Sequence, residues 1–364
     1  MDEILSQIKD GDFSYGTALC TEKMLSEKYD VSRITAKRAI TDLEQRGILY
    51  RKRGVGSFVA RNALSIINET PVSTADPKII SFLLPFDSTK GNLFRTIEVI
   101  NRSLAENGYF MSVYVSNVSN AKEKANIKLL LTQNIAGLVY YPLRDSIHLD
   151  LLNKFAFKGI PIVVIDKSTD CPYIHNVVCD NFGGGRLLTR HLIDLGHRHI
   201  GFFTTAPLED TSSVRNRFGG YLHELHRAGI TPNPDYLVCH PYEVSDEDAR
   251  STERTAFQNV IFRMVQSGVT AIIAENDRVA QLIQMACCQL GIRIPEDLSL
   301  VGFDSTDTSE QLGITSIRQD FDLIGEKVVQ ILLASIANPS ADVEKICIPV
   351  ELIIRKSTAA PRES

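Results

Sequence analysis

Between Arg33 and Arg53 the chain carries seven basic residues (Arg33, Lys37, Arg38, Arg46, Arg51, Lys52, Arg53) and two acidic ones (Asp42, Glu44), a local excess of five positive charges. The whole chain has a net charge of −5. It is therefore not built to coat a polyanion everywhere, and one basic element meeting phosphates is the chemistry to expect. His197 and His199 suggest acid–base or metal chemistry, but two positions apart in a helix-to-strand turn they are poorly placed to share a ligand. The triple glycine Gly183-Gly184-Gly185 lacks the G-x-G-x-x-G spacing of a phosphate loop, and behind Asp180-Asn181 it reads as the capped start of a helix. There is no P-loop, nucleophile elbow or H-E-x-x-H pattern. Nothing calls for a metal or cofactor.

The basic residues need elements to position them. Thr21 is a good N-cap for a helix through Tyr29, and Ser32 opens a second helix that Gly47 can end. At 100° per residue, Ala36, Ala39, Ile40 and Leu43 share one face of that second helix, while Arg33, Ile34, Lys37, Arg38 and Thr41 share the other. Strand, glycine-rich basic turn and strand then follow from Ile48 to Ala60, a hairpin tipped by Arg51, Lys52, Arg53, Gly54 and Gly56. A helix of this kind fits the major groove of DNA, and the hairpin can touch phosphates or the minor groove.

These residues resemble the GntR family of winged-helix regulators. The likeness runs through Thr21-Glu22-Lys23, Val31-Ser32-Arg33, Thr35, Arg38-Ala39-Ile40, Gly47-Ile48-Leu49 and Gly56-Ser57-Phe58-Val59. Lys37 stands where the family usually carries arginine, giving a point charge in place of a bidentate fork. The resemblance implies DNA contacts from Thr21, Ser32, Arg33, Ile34, Thr35, Lys37 and Arg38, and from the hairpin.

At 364 residues the chain outgrows a single core. Its 44% hydrophobic and 23% charged residues are ordinary for a globular protein. The seven cysteines form no C-x-x-C pair and read as reduced, mostly buried thiols. The N-terminus lacks a signal-peptide pattern, and no apolar run reaches the roughly 20 residues a bilayer demands, so a cytoplasmic protein without membrane contact is expected. Residues 1–61 read as the reader, 62–77 as a linker with two prolines and no sustained period, and 78–360 as a second region. There, apolar runs (Ile79–Pro85, Phe110–Val115, Ala136–Tyr140, Ile160–Ile165) alternate with helical stretches (Leu93–Asn107, Ala121–Asn134), and further runs follow at Ile200–Thr204, Ala271–Ala274 and Leu300–Phe303. The pattern predicts an α/β fold of doubly wound parallel sheets in two subdomains, with ligands at the carboxyl ends of the strands.

This second region is similar to the LacI/GalR sensor, a periplasmic-binding-protein-like domain. The motifs include Gly159-Ile160-Pro161 through Asp166, Leu195-Gly196-His197-Arg198-His199-Ile200, Arg217 with Gly220-Tyr221, Asn276-Asp277, Asp297 through Asp304, and Thr315 through Phe321. A GntR reader on such a sensor is the arrangement of the AraR-like regulators. The resemblance implies an effector cleft crossed three times by the chain and lined by Asp166, Arg217, Asn276, Asp304, Gln319 and Phe321. Hydroxyl-rich sugars suit that mixture of donors and acceptors, and their C–H faces ask for an aromatic platform, with Phe321, Phe86, Tyr141 and Tyr242 as candidates. The expected protein is a homodimeric repressor on a pseudo-palindromic operator, released by a pentose, deoxyhexose or hexose. A nucleobase effector, or a carbohydrate-acting enzyme using Asp166 and Asp304, stand as alternatives.

Overall fold

The computed structural model describes residues 2–9, 11, 13, 15–17, 22–28, 31–45, 47–52, 56–64, 78–86, 92–145, 148–239 and 249–362. Two compact units result, Met1–Asp76 and Pro77–Ser364.

In the first unit the expected helices span Glu22–Lys28 and Arg33–Gln45. Ser32 Oγ accepts from the Thr35 amide at 3.1 Å, which satisfies one of the orphan donors at the start of the second helix. Gly47, at φ +72°, turns the chain out of it. Strands β1 (Leu49–Lys52) and β2 (Gly56–Val59) pair antiparallel, with Arg51 opposite Ser57. Ala36, Ile40 and Leu43 are buried as their spacing requires, with Ala39 half-buried beside them. The core also takes Ile4 and Ile8, one turn apart on an additional helix, Asp2–Lys9, and Ala63 from beyond the hairpin. Most of the 62–77 segment, like Thr21, Arg53, Gly54 and Tyr242, lies outside the described residues.

The second unit holds two six-stranded sheets. One has the order β13-β7-β6-β5-β3-β4 and is parallel throughout. Its strands are β3 (Ile79–Leu84), β4 (Phe110–Val115), β5 (Gly137–Tyr140), β6 (Ile162–Ile165), β7 (His175–Cys179) and β13 (Lys345–Ile348). The other has the order β14-β12-β11-β10-β8-β9, parallel except for β14. It comprises β8 (Ile200–Thr204), β9 (Leu237–Cys239), β10 (Ala271–Ala274), β11 (Ser299–Asp304), β12 (Thr315–Gln319) and β14 (Val350–Ile353). Helices cover both faces of each sheet, so the central strands are apolar runs: every residue of β5, β6, β8 and β10 is buried.

The chain passes from the first sheet to the second after β7, returns after β12, and crosses again between β13 and β14. Helix Phe321–Ala337 packs in the core of the first subdomain and helix Asn181–Asp194 in that of the second. Of the six cysteines described, none is paired, and the expectation of mostly buried thiols needs correcting. Cys239 and Cys347 face outward on edge strands, and Cys288 lies on the outer side of its helix next to buried Cys287.

Candidate functional site

On the first unit, Thr35 and Lys37 stand exposed on the helix Arg33–Gln45, one on either side of the buried stripe of Ala36, Ile40 and Leu43. Arg33, Ile34 and Arg38 occupy that helix as well. The hairpin is tied to the helix: Glu44 Oε1 accepts from Arg51 Nε at 3.1 Å and from Ser57 Oγ at 2.8 Å. Arg51 is thus partly engaged in holding the wing in place. The rings of Tyr50 and Phe58 stack 5.7 Å apart, and Lys52 Nζ lies over both, 5.1 Å from the Phe58 centroid and 5.8 Å from that of Tyr50. Such cation–π contacts limit where the ammonium can go. Gly56, at φ +133°, takes a backbone conformation that a Cβ would strain.

In the second unit a cavity of about 830 Å³ opens at the carboxyl ends of both sheets. Phe86 follows β3, Tyr141 follows β5, Asp166 follows β6, Asn276 follows β10, and Asp304 and Gln319 end β11 and β12. Doubly wound sheets present their loops to ligands at this end, and the volume falls in the range of small-molecule sites. Asp166 and Asp304 both sit on left-handed backbone, at φ +66° and +107°. Strain of that kind costs on the order of 1–3 kcal/mol per residue and clusters at functional sites.

Two ion pairs lie inside the cavity. Asp166 accepts from Lys167 Nζ and from the Tyr141 hydroxyl. Burial alone would raise the Asp166 pKa, but the Lys167 ammonium, with Arg217 and the hydrogen bonds, holds it below the ordinary carboxylate value. Asp304 Oδ1 lies 3.8 Å from Arg217 Nη2 and accepts from Gln319 Nε2 at 2.6 Å. Here burial, aided by the charges of Asp277 and Asp166, outweighs Arg217 and Gln319 and pushes the pKa up to about 7. Arg217 itself donates to Asn181 Oδ1 (2.9 Å) and to the Glu275 carbonyl (2.5 Å).

Comparison with known proteins places these features in a family. The family model for bacterial regulatory proteins of the gntR family matches residues 1–59, and that for a periplasmic binding protein-like domain matches residues 189–358. The arabinose metabolism transcriptional repressor of Halalkalibacterium halodurans is 28% identical over 98% of this chain and 95% of its own length. The HTH-type transcriptional repressor PurR of Haemophilus influenzae is 30% identical over 85% of this chain and 93% of its own length. The chain belongs to the ligand-responsive regulators that carry a GntR-type reader on a LacI-type sensor. The lac repressor dimer bound to operator and an anti-inducer is 25% identical, with a TM-score of 0.64 over 79% of this chain and 96% of that one.

The LacI-type sensor brings together eight of the nine effector residues expected from the sequence, all but Tyr242. Several of them have structural duties as well. Asn276 caps the helix Asp277–Leu290, its Oδ1 accepting from the Val279 amide at 2.9 Å, which leaves Nδ2 as the donor it can offer the cavity. Phe86 meets Tyr141 edge-on at 5.7 Å, forming an aromatic corner, while Phe321 packs partly into the core beneath. Lys167, Ser213 and Glu275 also line the cavity and were not anticipated. The only sequence signal for Lys167 is its place directly after Asp166. Asp180 caps its helix through the Gly183 amide at 2.7 Å, and the glycines behind it let helices Asn181–Asp194 and Ser212–Arg227 close on each other. His197 is taken up by Thr270, Ser299 and the Ala359 carbonyl, and His199 by Tyr236. No cluster of metal ligands occurs among the described residues.

Proposed function

We propose that this regulator is a homodimeric repressor of a carbohydrate-utilisation operon, and that a neutral pentose, deoxyhexose or hexose bound between the sensor subdomains releases it from a pseudo-palindromic operator. The observation that carries the reading is the convergence of Asp166, Arg217, Asn276, Asp304, Gln319 and Phe321 from both sheets on one cavity. A sugar engages both subdomains with alternating donors and acceptors and so favours the arrangement in which they are close. The pairing of Asp166 with Lys167 and of Asp304 with Arg217 supports a ligand without net charge, because an anion would have to compete with a resident carboxylate for either of these two buried cations. The arabinose repressor among the relatives supports the same class. Asp166 and Asp304 then serve as hydrogen-bond acceptors in a regulator, not as a catalytic pair.

The PurR relative favours a second reading, a purine effector. The Phe86–Tyr141 corner and Phe321 are the surfaces a base would stack on. Residues 1–61 act as the reader, 62–77 as the linker and 78–360 as the sensor in this scheme. No helix among the described residues is long and apolar enough to cross a membrane. A thermal-shift screen over arabinose, ribose, xylose, galactose, fucose, adenine, guanine and hypoxanthine tests the proposal, since a ligand of the folded state raises the melting temperature. One sugar should stabilise the protein and release it from operator DNA. Stabilisation by a purine alone would overturn the sugar assignment.

A further inference from the structure

We propose that Lys167 selects the effector, donating one hydrogen bond from its ammonium to a ligand oxygen while Asp166 and Ser213 hold that ammonium in place. The inference rests on the reading of the cavity as a sugar site and names a residue that discriminates among sugars.

Lys167 follows β6 in the first subdomain, and its side chain is only 7% exposed. Nζ donates to Asp166 Oδ2 and, across the cleft, to Ser213 Oγ at 3.2 Å. Ser213 lies in the first turn of helix Ser212–Arg227 in the second subdomain, where Ser212 Oγ also accepts from the Ser168 amide at 3.0 Å. One ammonium therefore touches both halves of the sensor at the wall of the cavity.

An ammonium has three N–H groups, and buried donors rarely go without an acceptor. Lys345 in the same unit shows the saturated arrangement, with bonds to the carbonyls of Thr169, Cys171 and Ile174. Lys167 is more deeply buried than Lys345, yet among the described residues only two oxygen acceptors meet its Nζ, with the face of the Tyr141 ring 5.7 Å away. The third donor is available to whatever fills the cavity that Lys167 lines. The group is also preorganised. The Lys167 amide donates to the Ile165 carbonyl at 2.8 Å, and its own carbonyl accepts from the buried Asn176 side chain at 2.8 Å. A backbone pinned on both sides leaves the ammonium little freedom, and a fixed donor rejects a ligand lacking the matching oxygen far better than a mobile one.

The test is calorimetric titration of the full-length protein with arabinose, ribose, xylose, galactose and fucose, then with the monodeoxy analogues of each sugar that binds. Wild type, Lys167→Met and Lys167→Gln are compared, with thermal melts confirming that at least one variant folds. Both variants should bind the parent sugar at least 10-fold more weakly. One deoxy analogue, weakened at least 10-fold in wild type, should bind the variants as well as the parent sugar does, because the lost hydroxyl and the lost ammonium are two ends of one bond. Parent affinity within 2-fold of wild type in the folded variants, or a full loss for every analogue in the variants too, overturns the assignment. If wild type binds none of the sugars, the sugar reading falls and this inference with it.

Discussion

The guanidinium of Arg217 sits over the ring of Phe303, with Cζ 3.6 Å from the ring centroid. Its Nε and Nη1 are committed to Asn181 and to the Glu275 carbonyl, so the edge it turns to Asp304 is Nη2. A planar, stacked, forked donor is what this arrangement uses, and lysine offers none of those properties. Arg217→Lys should lower effector affinity at least 10-fold and cost about 1–3 kcal/mol of stability through the unpaired Glu275 carbonyl and Asn181. Titration calorimetry and urea unfolding check the two effects separately. A variant with unchanged affinity would remove Arg217 from the site.

The position of Arg217 depends on a glycine in the neighbouring helix. A Cβ at Gly185 would lie 2.1 Å from the Arg217 carbonyl oxygen, and one at Gly220 would lie 2.2 Å from that of Phe182. Backbone cannot step aside as a flexible side chain can, so Gly185→Ala must part helices Asn181–Asp194 and Ser212–Arg227. The expected loss is about 1–3 kcal/mol of stability together with weakened effector binding, because Arg217 moves with its helix. Gly183→Ala bears on the Asp180 carboxylate instead, and should weaken the cap with less effect on the ligand. Equal effects of the two substitutions on effector affinity would contradict this.

Much of this framework is legible in the sequence, for definite reasons. β8 and β10 are unbroken apolar runs because parallel strands are buried on both faces, and their limits match the hydrophobic segments Ile200–Thr204 and Ala271–Ala274. β13 and β14 escape such a reading. Lys345-Ile346-Cys347-Ile348 and Val350-Glu351-Leu352-Ile353 are short, half-exposed edge segments joined by Pro349, with no periodicity of their own. The helix carrying Ile4 and Ile8 is missed because three apolar residues, Ile4, Leu5 and Ile8, within two turns are too short a stretch to show a sustained period. Asp166, Arg217 and Asp304 are found through family likeness. Lys167 is not, because its role rests on a contact with Ser213, 46 residues further along the chain.

Asp304 gives the protein a pH dependence with a defined sign. Its pKa is raised from an ordinary value of 3.8 to about 7, so the folded protein keeps a proton that the unfolded chain gives up. The unfolded state then binds fewer protons between those values, and the Asp304 contribution to stability falls as pH rises through that window, at most about 1.4 kcal/mol per pH unit, and levels off above 7. Asp304→Asn stays neutral at all pH. Its stability relative to wild type should therefore improve steadily from pH 5 to pH 7 in urea unfolding, and a difference independent of pH would refute the assignment. A sugar hydroxyl donating to Asp304 favours the ionised form, so effector binding near pH 7 should release protons, measurable by calorimetry in buffers of different ionisation enthalpy.

Away from the cavity floor, the loop after β5 meets the approach to helix Ser212–Arg227. Arg144 pairs with Asp210 at 2.6 Å, Arg215 pairs with Asp145 at 3.0 Å, and the Asp145 amide donates to the Asp210 carbonyl at 2.8 Å. The largely exposed Arg144–Asp210 pair contributes little alone, about 0.2–1 kcal/mol, and Asp145 in the other pair is half-buried, but both favour the arrangement in which the subdomains are close. Arg144→Ala combined with Arg215→Ala should weaken effector binding about 3–10-fold at low salt, and the gap from wild type should narrow in 1 M salt as screening removes the same pairs. A salt-independent difference would point to packing and not to charge.

On the reader, Arg33 and Lys52 should fail in different ways. Arg33 opens the helix Arg33–Gln45, behind the Ser32 cap, where the first turn of a recognition helix meets base edges. Lys52 stands on the hairpin over the rings of Tyr50 and Phe58, placed as a point charge for phosphate. Arg33→Ala should cost about 1–3 kcal/mol on the specific operator and much less on random DNA, because a lost base contact removes discrimination. Lys52→Ala should weaken both kinds of DNA alike and reduce the slope of log affinity against log salt by about 1. Fluorescence anisotropy on operator and scrambled duplexes, from 50 to 200 mM salt, separates the two roles. Equal losses on both duplexes for both variants would mean that Arg33 reads phosphate as well, and that base recognition lies further along the helix, with Lys37 the next residue to replace.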